Sequence, residues 1–190
     1  MGDPMRPRAA ALLIAAFASS HASAQEELPF EPTGEIRFHA TSGLGSGASF
    51  DQYRIVGPAV NLTRREDGSW AGDIAGNDVS LVGNDSKLTG PNVSLTFKQK
   101  GGTTEVEGLF YGTRVRLAVD GKKLKGRYGT CSFDLKRRGP PMYRGDVGCM
   151  RQETRLPIAG TAAVELIGEA ASEKPPAAQV GLALVAILPR

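Results

Sequence analysis

The sequence predicts an all-β protein, an antiparallel meander of about 10–14 short strands that forms either a closed barrel or a two-sheet sandwich or jelly roll. Three observations predict it: apolar and polar residues alternate, a glycine motif recurs along the chain, and turn dipeptides separate its copies. The 24 glycines and few aromatic residues suit such a fold. Beyond the N-terminal segment, no window shows the periodicity of an amphipathic helix.

The recurring motif is a glycine followed by an alternating run with two apolar positions. It begins at Gly57 (GPAVNL), Gly76 (GNDVSL), Gly90 (GPNVSL) and Gly112 (GTRVRL), with looser copies at Gly129 and Gly160. A second motif, an apolar residue, any residue and then glycine, begins at Trp70, Leu88, Val106, Leu124 and Tyr143. Turn dipeptides such as Gly101-Gly102 and Asp120-Gly121 supply the positive φ angles of tight hairpins. The repeated unit is therefore strand, turn, strand, glycine corner.

The two cysteines predict one structural disulfide, Cys131–Cys149. A hairpin centred on Pro140 places Cys131 opposite Cys149 and Phe133 opposite Val147, all on the same apolar face. Closing this short loop would stabilise the fold by about 3 kcal/mol. A redox-active pair would more usually be Cys-x-x-Cys, so we expect no redox role.

The ends of the chain differ in character from its centre. Residues 1–24 predict a signal peptide, because basic residues precede an apolar run and a small-residue cleavage site, Ala22-Ser23-Ala24. We therefore expect an exported protein of bacterial type, either periplasmic, on the cell surface or secreted. The division that follows from the pattern is a flexible N-terminal segment (25–34), a β-meander domain (35–168), a Pro-containing linker (169–179) and a C-terminal strand (180–190).

Charge is distributed unevenly along the chain. Residues 98–155 contain 14 Lys and Arg against 6 Asp and Glu, whereas residues 25–97 contain 5 against 10. A basic half attracts polyanions, and the candidate anion-binding residues are Arg114, Arg116, Lys123, Lys125 and Arg127. Anionic polysaccharide or lipopolysaccharide is the expected partner, nucleic acid is not, and no protein partner is indicated. The alternative is a solvated face of cross-strand charge pairs, each contributing only about 0.2–1 kcal/mol. The expected register sets Glu107 beside Arg114, and it sets Arg116 opposite Lys125 as a repulsive pair.

The residues that catalysis needs are nearly absent. Beyond the first 24 residues only His39 remains as a histidine, and the nearby Ser42, Ser46 and Ser49 are better explained as linker. The GLGSG run from Gly43 lacks the helix and the Lys-Ser/Thr of a phosphate loop, so we interpret it as a mobile connection. We predict neither an enzyme nor a metal or cofactor site. No apolar run is long enough for a membrane-spanning helix, and outward charges argue against an outer-membrane barrel.

The run LTGPNVSLTFKQKGG and the following VEG, Leu88 to Gly108, resembles the strand-and-glycine rhythm of periplasmic lipopolysaccharide-transport jelly rolls. The resemblance implies a periplasmic jelly roll in lipopolysaccharide transport, which is one alternative function. A second alternative is a barrel that carries a small apolar ligand in its interior. Its predicted lining residues are Val93, Leu95, Val115, Leu117 and Phe133. The preferred hypothesis is a non-catalytic envelope or surface protein that binds through its basic half.

Overall fold

Fourteen antiparallel strands close into one barrel in the computed structural model, which describes residues 29–41, 43–150 and 157–190. Every strand pairs with its neighbours in sequence, and the last strand pairs with the first. The all-β prediction is confirmed, and of the architectures left open the closed barrel is the one formed. The predicted signal peptide and residues 25–28 lie outside the described part of the chain.

The strands are mostly four to nine residues long. Their bounds are β1 Gly34–Ala40, β2 Gly45–Phe50, β3 Arg54–Gly57, β4 Val60–Arg64, β5 Trp70–Ile74, β6 Asn77–Asn84, β7 Lys87–Gly90, β8 Val93–Lys100, β9 Thr103–Phe110, β10 Thr113–Val119, β11 Lys123–Tyr128, β12 Cys131–Arg137, β13 Met142–Met150 and β14 Pro157–Gly168. Two helical segments follow, the short 3₁₀ helix η1 Glu169–Ala171 and the α-helix α1 Ala177–Ile187. Apolar side chains alternate onto the inner face of the strands and form the core.

Most of the side-chain hydrogen bonds that fix the turns lie at one end of the barrel, although Asp73 Oδ1 accepts the Gly76 N–H at the other end. We call the end that carries the turns after the even-numbered strands the near rim, and the opposite end the far rim. Near-rim turns repeatedly use an Asp or Asn whose Oδ1 accepts backbone N–H groups two or three residues later, at Asp51, Asp67, Asn84 and Asp120. Such side chains mimic a backbone turn and fix a tight loop.

The second sequence motif places its glycine on the inner face where strands bend. Gly72, Gly108 and Gly126 have φ of 141°, 145° and 139°, a region that L side chains rarely adopt. A Cβ at Gly108 would collide with the carbonyl oxygen of Ser94 on the neighbouring strand. The glycines therefore let adjacent backbones approach closely, which bends the sheet so that it can close.

Replacing one of these glycines tests this account of closure. Gly108→Ala should destabilise the protein by about 3 kcal/mol or more, because backbone strain and a backbone collision act together. The control is Gly148→Ala, since Gly148 has an ordinary φ and its Cβ would meet only Ser132 Oγ at 3.5 Å. Chemical denaturation measures both. Equal stability of the two variants would contradict a role for Gly108 in bending the sheet.

Helix α1 occupies the interior of the barrel. Every residue from Ala178 to Ile187 is buried, so the helix has no solvent-exposed face. It packs against β1 and β2 and also against β8 and β9, which lie half a circumference away around the barrel. At Gly181 the approach is so close that a Cβ would overlap the ring of Phe97. The helix therefore fills the space between opposite walls.

The C-terminal strand predicted for residues 180–190 is wrong, because this segment is mostly helix α1. The closed sheet has no free edge, so a strand in the interior would leave its N–H and C=O groups without partners. A helix satisfies these groups within itself. The linker predicted for residues 169–179 is interrupted at both ends, by η1 and by the first turn of α1.

The helix runs from the near rim to the far rim. Pro175 lies beside the near-rim turns, whereas the guanidinium of Arg190 lies 5.6 Å from the ring centre of Phe110 at the far rim. The backbone of Arg190 also lies within 3.5 Å of where a Cβ at Gly129 would stand. The C-terminal residue therefore reaches the rim opposite the one at which the segment enters.

A charge introduced into α1 tests its burial. Leu184→Asp should destabilise the protein by more than about 4 kcal/mol, because it places an unpaired carboxylate in an apolar interior. The matched control is Leu109→Asp on the outer face of β9, where Leu109 is 46% exposed. Thermal unfolding followed by circular dichroism compares them. Tolerance of Leu184→Asp would show that the helix lies outside the barrel.

The predicted hairpin at Pro140 is confirmed residue by residue. Cys131 pairs with Cys149 and Phe133 with Val147, and the disulfide joins the neighbouring strands β12 and β13. The GLGSG run, by contrast, was wrongly interpreted as a mobile connection. Most of it belongs to β2, since residues from Gly45 onward pair with β1. Glycine at these positions leaves room for β1 side chains on the outer face.

Candidate functional site

The five predicted anion-binding residues lie together on the outside of the barrel. Arg114 and Arg116 project from β10, and Lys123, Lys125 and Arg127 project from β11. The outer faces of β12 and β13 add Lys136 and Arg144. We call the outer faces of β10 to β13 the basic wall. It presents seven cationic side chains against two carboxylates, Asp134 and Asp146.

Like charges oppose each other across the strands of the basic wall. Arg116 pairs with Arg127 across β10 and β11. Lys123 pairs with Lys136, and Lys136 in turn pairs with Arg144. Directly opposed like charges destabilise a sheet, so this arrangement carries a cost that a purely structural surface would avoid.

Few carboxylates in the described residues neutralise the basic wall. Arg116 Nε lies 3.1 Å from Glu107 Oε1, and the same carboxylate lies 3.5 Å from Lys98 Nζ through Oε2. Arg116 nevertheless remains 80% exposed. For the other four predicted residues, no described Asp or Glu oxygen lies within 4.0 Å. Of these four, Lys125 lies opposite Asp134 in the sheet, whereas Arg114, Lys123 and Arg127 have no acidic residue directly opposite.

The partners inferred from the sequence on this wall need correction. The expected pairing set Glu107 beside Arg114 and Arg116 opposite Lys125, but Glu107 lies opposite Arg116 and Lys125 lies opposite Ala118. Both pairings are shifted by two residues: that of Glu107 at the turn between β9 and β10, a two-residue loop at Tyr111-Gly112 with positive φ at both positions, and that of Lys125 at the turn between β10 and β11. A two-residue shift keeps each side chain on its face and changes only its neighbour.

A cleft at the near rim was not predicted from the sequence. Its volume is 730 Å³, and it lies between the turns after β8, β10 and β12 and the segment that joins β14 to α1. Three cationic side chains line it, Lys122, Arg137 and Lys174. These residues are far apart in sequence and come together only when the barrel closes, so no local motif could reveal them. We call this the rim cleft.

Two hydrogen bonds hold the walls of the rim cleft in place. Tyr143 Oη donates to the carbonyl oxygen of Asp120 over 2.7 Å, and Arg137 Nη1 donates to the carbonyl oxygen of Gly121 over 3.1 Å. Burial raises the pKa of Tyr143 above its usual value, while the neighbouring Arg137 guanidinium opposes this shift. Strand β13 is thus tied to the turn after β10, and the cleft is preformed.

The residues predicted to line an apolar ligand cavity are all buried on the inner wall. They are Val93, Leu95, Val115, Leu117 and Phe133. Helix α1 occupies the interior around which they stand. A ligand at this position would need the space that the helix fills.

The structure does not bring His39 together with the nearby serines. His39 lies at the far-rim end of β1, opposite Gly45 and Ala163. Ser49 lies opposite Glu35, four residues from His39 along β1, which corresponds to about 13 Å. Ser46 points toward the inner face, and Ser42 lies outside the described residues.

Residues 29–41, 43–150 and 157–190 contain no group of three or more His, Cys, Asp or Glu that could hold a metal ion. Within the same ranges, none of the helices combines the length and apolar character needed to cross a membrane. The predictions of no metal and no cofactor stay predictions.

The fold and its surfaces define a class of protein, an up-and-down β-barrel with an internal C-terminal helix, a hairpin disulfide and a basic outer wall. No protein-family model matches the chain, and no curated protein or solved structure matches it. Its function must therefore be argued from its own residues.

Two buried tyrosines provide a test of the cleft geometry. Tyr143→Phe should lower the free energy of unfolding by about 1 kcal/mol, because the hydrogen bond to Asp120 is lost. Tyr128→Phe should be neutral or stabilising, since Tyr128 Oη is buried and has no hydrogen-bond partner among the described residues. Urea denaturation of both variants measures the difference. Equal effects would contradict the bond between Tyr143 and Asp120.

The free energy of unfolding should depend on pH through the same two tyrosines. Burial raises the pKa of Tyr128, and also of Tyr143, above the value expected in the unfolded chain, near 10. Their contribution to stability is therefore fully present below that pH and is lost as pH rises through the folded-state pKa values. Unfolding measured across the alkaline range should show a smaller loss in Tyr128→Phe than in the unsubstituted protein. An identical loss would show that Tyr128 ionises freely in the fold.

Proposed function

We propose that this protein is an exported, non-catalytic binding protein that holds anionic polysaccharide, including the phosphate-bearing sugars of lipopolysaccharide, on its basic wall. The observation that carries the proposal is the set of directly opposed cations, Arg116 with Arg127 and Lys123 with Lys136 and Arg144. A ligand that supplies negative charge between them relieves a repulsion that the free protein bears.

The shape of the basic wall favours a polymer over a single small anion. Neighbouring strands lie about 5 Å apart and successive outward residues about 7 Å apart, so four strands carry the cations over an area of roughly 14 by 13 Å. A single phosphate or sulfate contacts only one corner of such an area. A chain of charged sugars can contact several cations at once, and each contact adds to the affinity.

Export is supported by two features. The N-terminal segment has the composition of a signal peptide. The disulfide between Cys131 and Cys149 persists in oxidising compartments and is rare in reducing ones. The same compartments contain the anionic glycans that the basic wall would meet.

Charge reversal on the basic wall tests the proposal. The double variant Arg116→Glu/Arg127→Glu should bind heparin and lipopolysaccharide at least about tenfold more weakly at low salt, and its affinity should depend less steeply on salt. Surface plasmon resonance over a range of NaCl concentrations measures both quantities. A neutral dextran serves as a ligand without charge, and duplex DNA shows whether the wall accepts any polyanion.

The matched control changes the net charge equally on another part of the barrel. Arg65→Glu/Lys87→Glu alters two exposed cations near the turns after β4 and β6. It should retain most of the binding of the unsubstituted protein. If the unsubstituted protein binds neither heparin nor lipopolysaccharide at low salt, or if both double variants lose binding equally, the basic wall is not the binding site.

A further inference from the structure

The rim cleft is a second surface with the properties of a binding site, separate from the basic wall. It combines an apolar floor with cationic edges. Val119, Leu166 and Ala170 are each at most 5% exposed and form the floor, together with the ring of Tyr143. Its volume of 730 Å³ falls within the range of about 300–1,000 Å³ that small-molecule sites usually have.

The cations at the edges of the cleft are not neutralised by the described residues. No described Asp or Glu oxygen lies within 4.0 Å of the charged groups of Lys122, Arg137 or Lys174. Two carboxylates also line the cleft: Glu173, which is exposed, and Asp120, whose Oδ1 accepts the backbone N–H groups of Lys122 and Lys123 over 2.7 and 2.9 Å. The Asp120 carboxylate is thus committed to its own turn.

From this combination we propose that the rim cleft binds a small anionic amphiphile, an organic acid with a short aliphatic chain. Its carboxylate or phosphate contacts Lys122, Arg137 and Lys174. Its aliphatic chain lies on Val119, Leu166 and Ala170. Neither feature alone selects this ligand. An inorganic anion leaves the apolar floor in water, and a neutral amphiphile leaves the cations without a partner. The preformed walls keep the ordering cost of binding low.

The cationic edges and the apolar floor of the rim cleft each recognise a different part of the ligand. A carboxylate or phosphate accepts charge-assisted hydrogen bonds from the guanidinium of Arg137 and from the ammonium groups of Lys122 and Lys174. Each methylene that leaves water for the apolar floor adds favourable free energy. The aliphatic chain therefore adds to the affinity that the headgroup supplies.

The test uses the full folded protein and four defined probes. Octanoate and octyl phosphate carry both features, inorganic phosphate carries only the charge, and octyl glucoside below its critical micelle concentration carries only the chain. Each is titrated into isotope-labelled protein and followed by amide chemical shifts. We expect both octyl anions to shift the amides of Gly102, Gly121 and Ser172, with affinities at least about tenfold above those of the other two probes.

Two variants locate the site. Lys122→Gln/Lys174→Gln should weaken octanoate binding about fivefold or more and leave octyl glucoside unchanged, since only the charged contacts are removed. Ala171→Trp, in the exposed part of η1, should weaken both octyl anions because the added ring occupies the cleft. Lys125→Gln/Arg127→Gln on the basic wall should leave octanoate binding unchanged.

The results distinguish binding in the rim cleft from binding on the basic wall. Octanoate binding that is lost in the cleft variants and retained in the wall variant supports the rim cleft, whether or not heparin binds elsewhere. Binding that is equal for octanoate and octyl glucoside overturns it, because the cations would then play no part. No amide shift with either octyl anion at millimolar concentration overturns it as well, as does equal loss in the wall and cleft variants.

Discussion

The width of a fourteen-strand barrel is the constraint on which the rest of this structure depends. Barrels of about eight strands are filled by their own inward side chains, whereas wider ones enclose a cavity or a channel. Here helix α1 takes up that space and packs against opposite walls, on β1 and β2 and on β8 and β9. Because the buried residues of the helix are apolar apart from Gln179, the inner face can be largely apolar. The charged side chains of the described residues lie on the outer faces and the rims, where both candidate sites lie.

The inward-facing glycines of the second sequence motif allow the sheet to close around the helix. At Gly72 and Gly126 the backbone has φ of 141° and 139°, a conformation that L side chains rarely adopt. There the backbones of neighbouring strands approach so closely that a side chain would not fit. The disulfide ties two strands together near the far rim, and the tyrosine bond to Asp120 ties others at the near rim. The surfaces next to the disulfide and to this hydrogen bond are consequently rigid.

Sequence reasoning recovered what local physics determines. The alternation in β8 to β12 and the turn at Pro140 were sufficient to give the strands, the face of each side chain and the partners of both cysteines. The sequence-based predictions were wrong where the closed barrel determines the local structure or the strand pairing. The run Val180–Leu188 has no periodicity because it is buried all round, and a short apolar run of that kind fits a strand or a buried helix equally well. The turn at Tyr111-Gly112 shifted the expected partners of Arg114 and Arg116 by two residues. The basic wall was predictable, since outward positions follow from alternation. The rim cleft was not, because Lys122, Arg137 and Lys174 meet only across the finished rim.

The position of α1 also sets the order in which the molecule can be completed. The helix that fills the interior follows all fourteen strands along the chain, and the seam between β1 and β14 joins the first strand to the last. Until α1 has been synthesised, the inner surfaces of the fourteen preceding strands lack the helix that covers them. A nascent chain, or one shortened before α1, therefore exposes the large apolar inner surface of the barrel to chaperones and proteases. Completion of the helix, and not of the sheet alone, is thus what buries the inner wall.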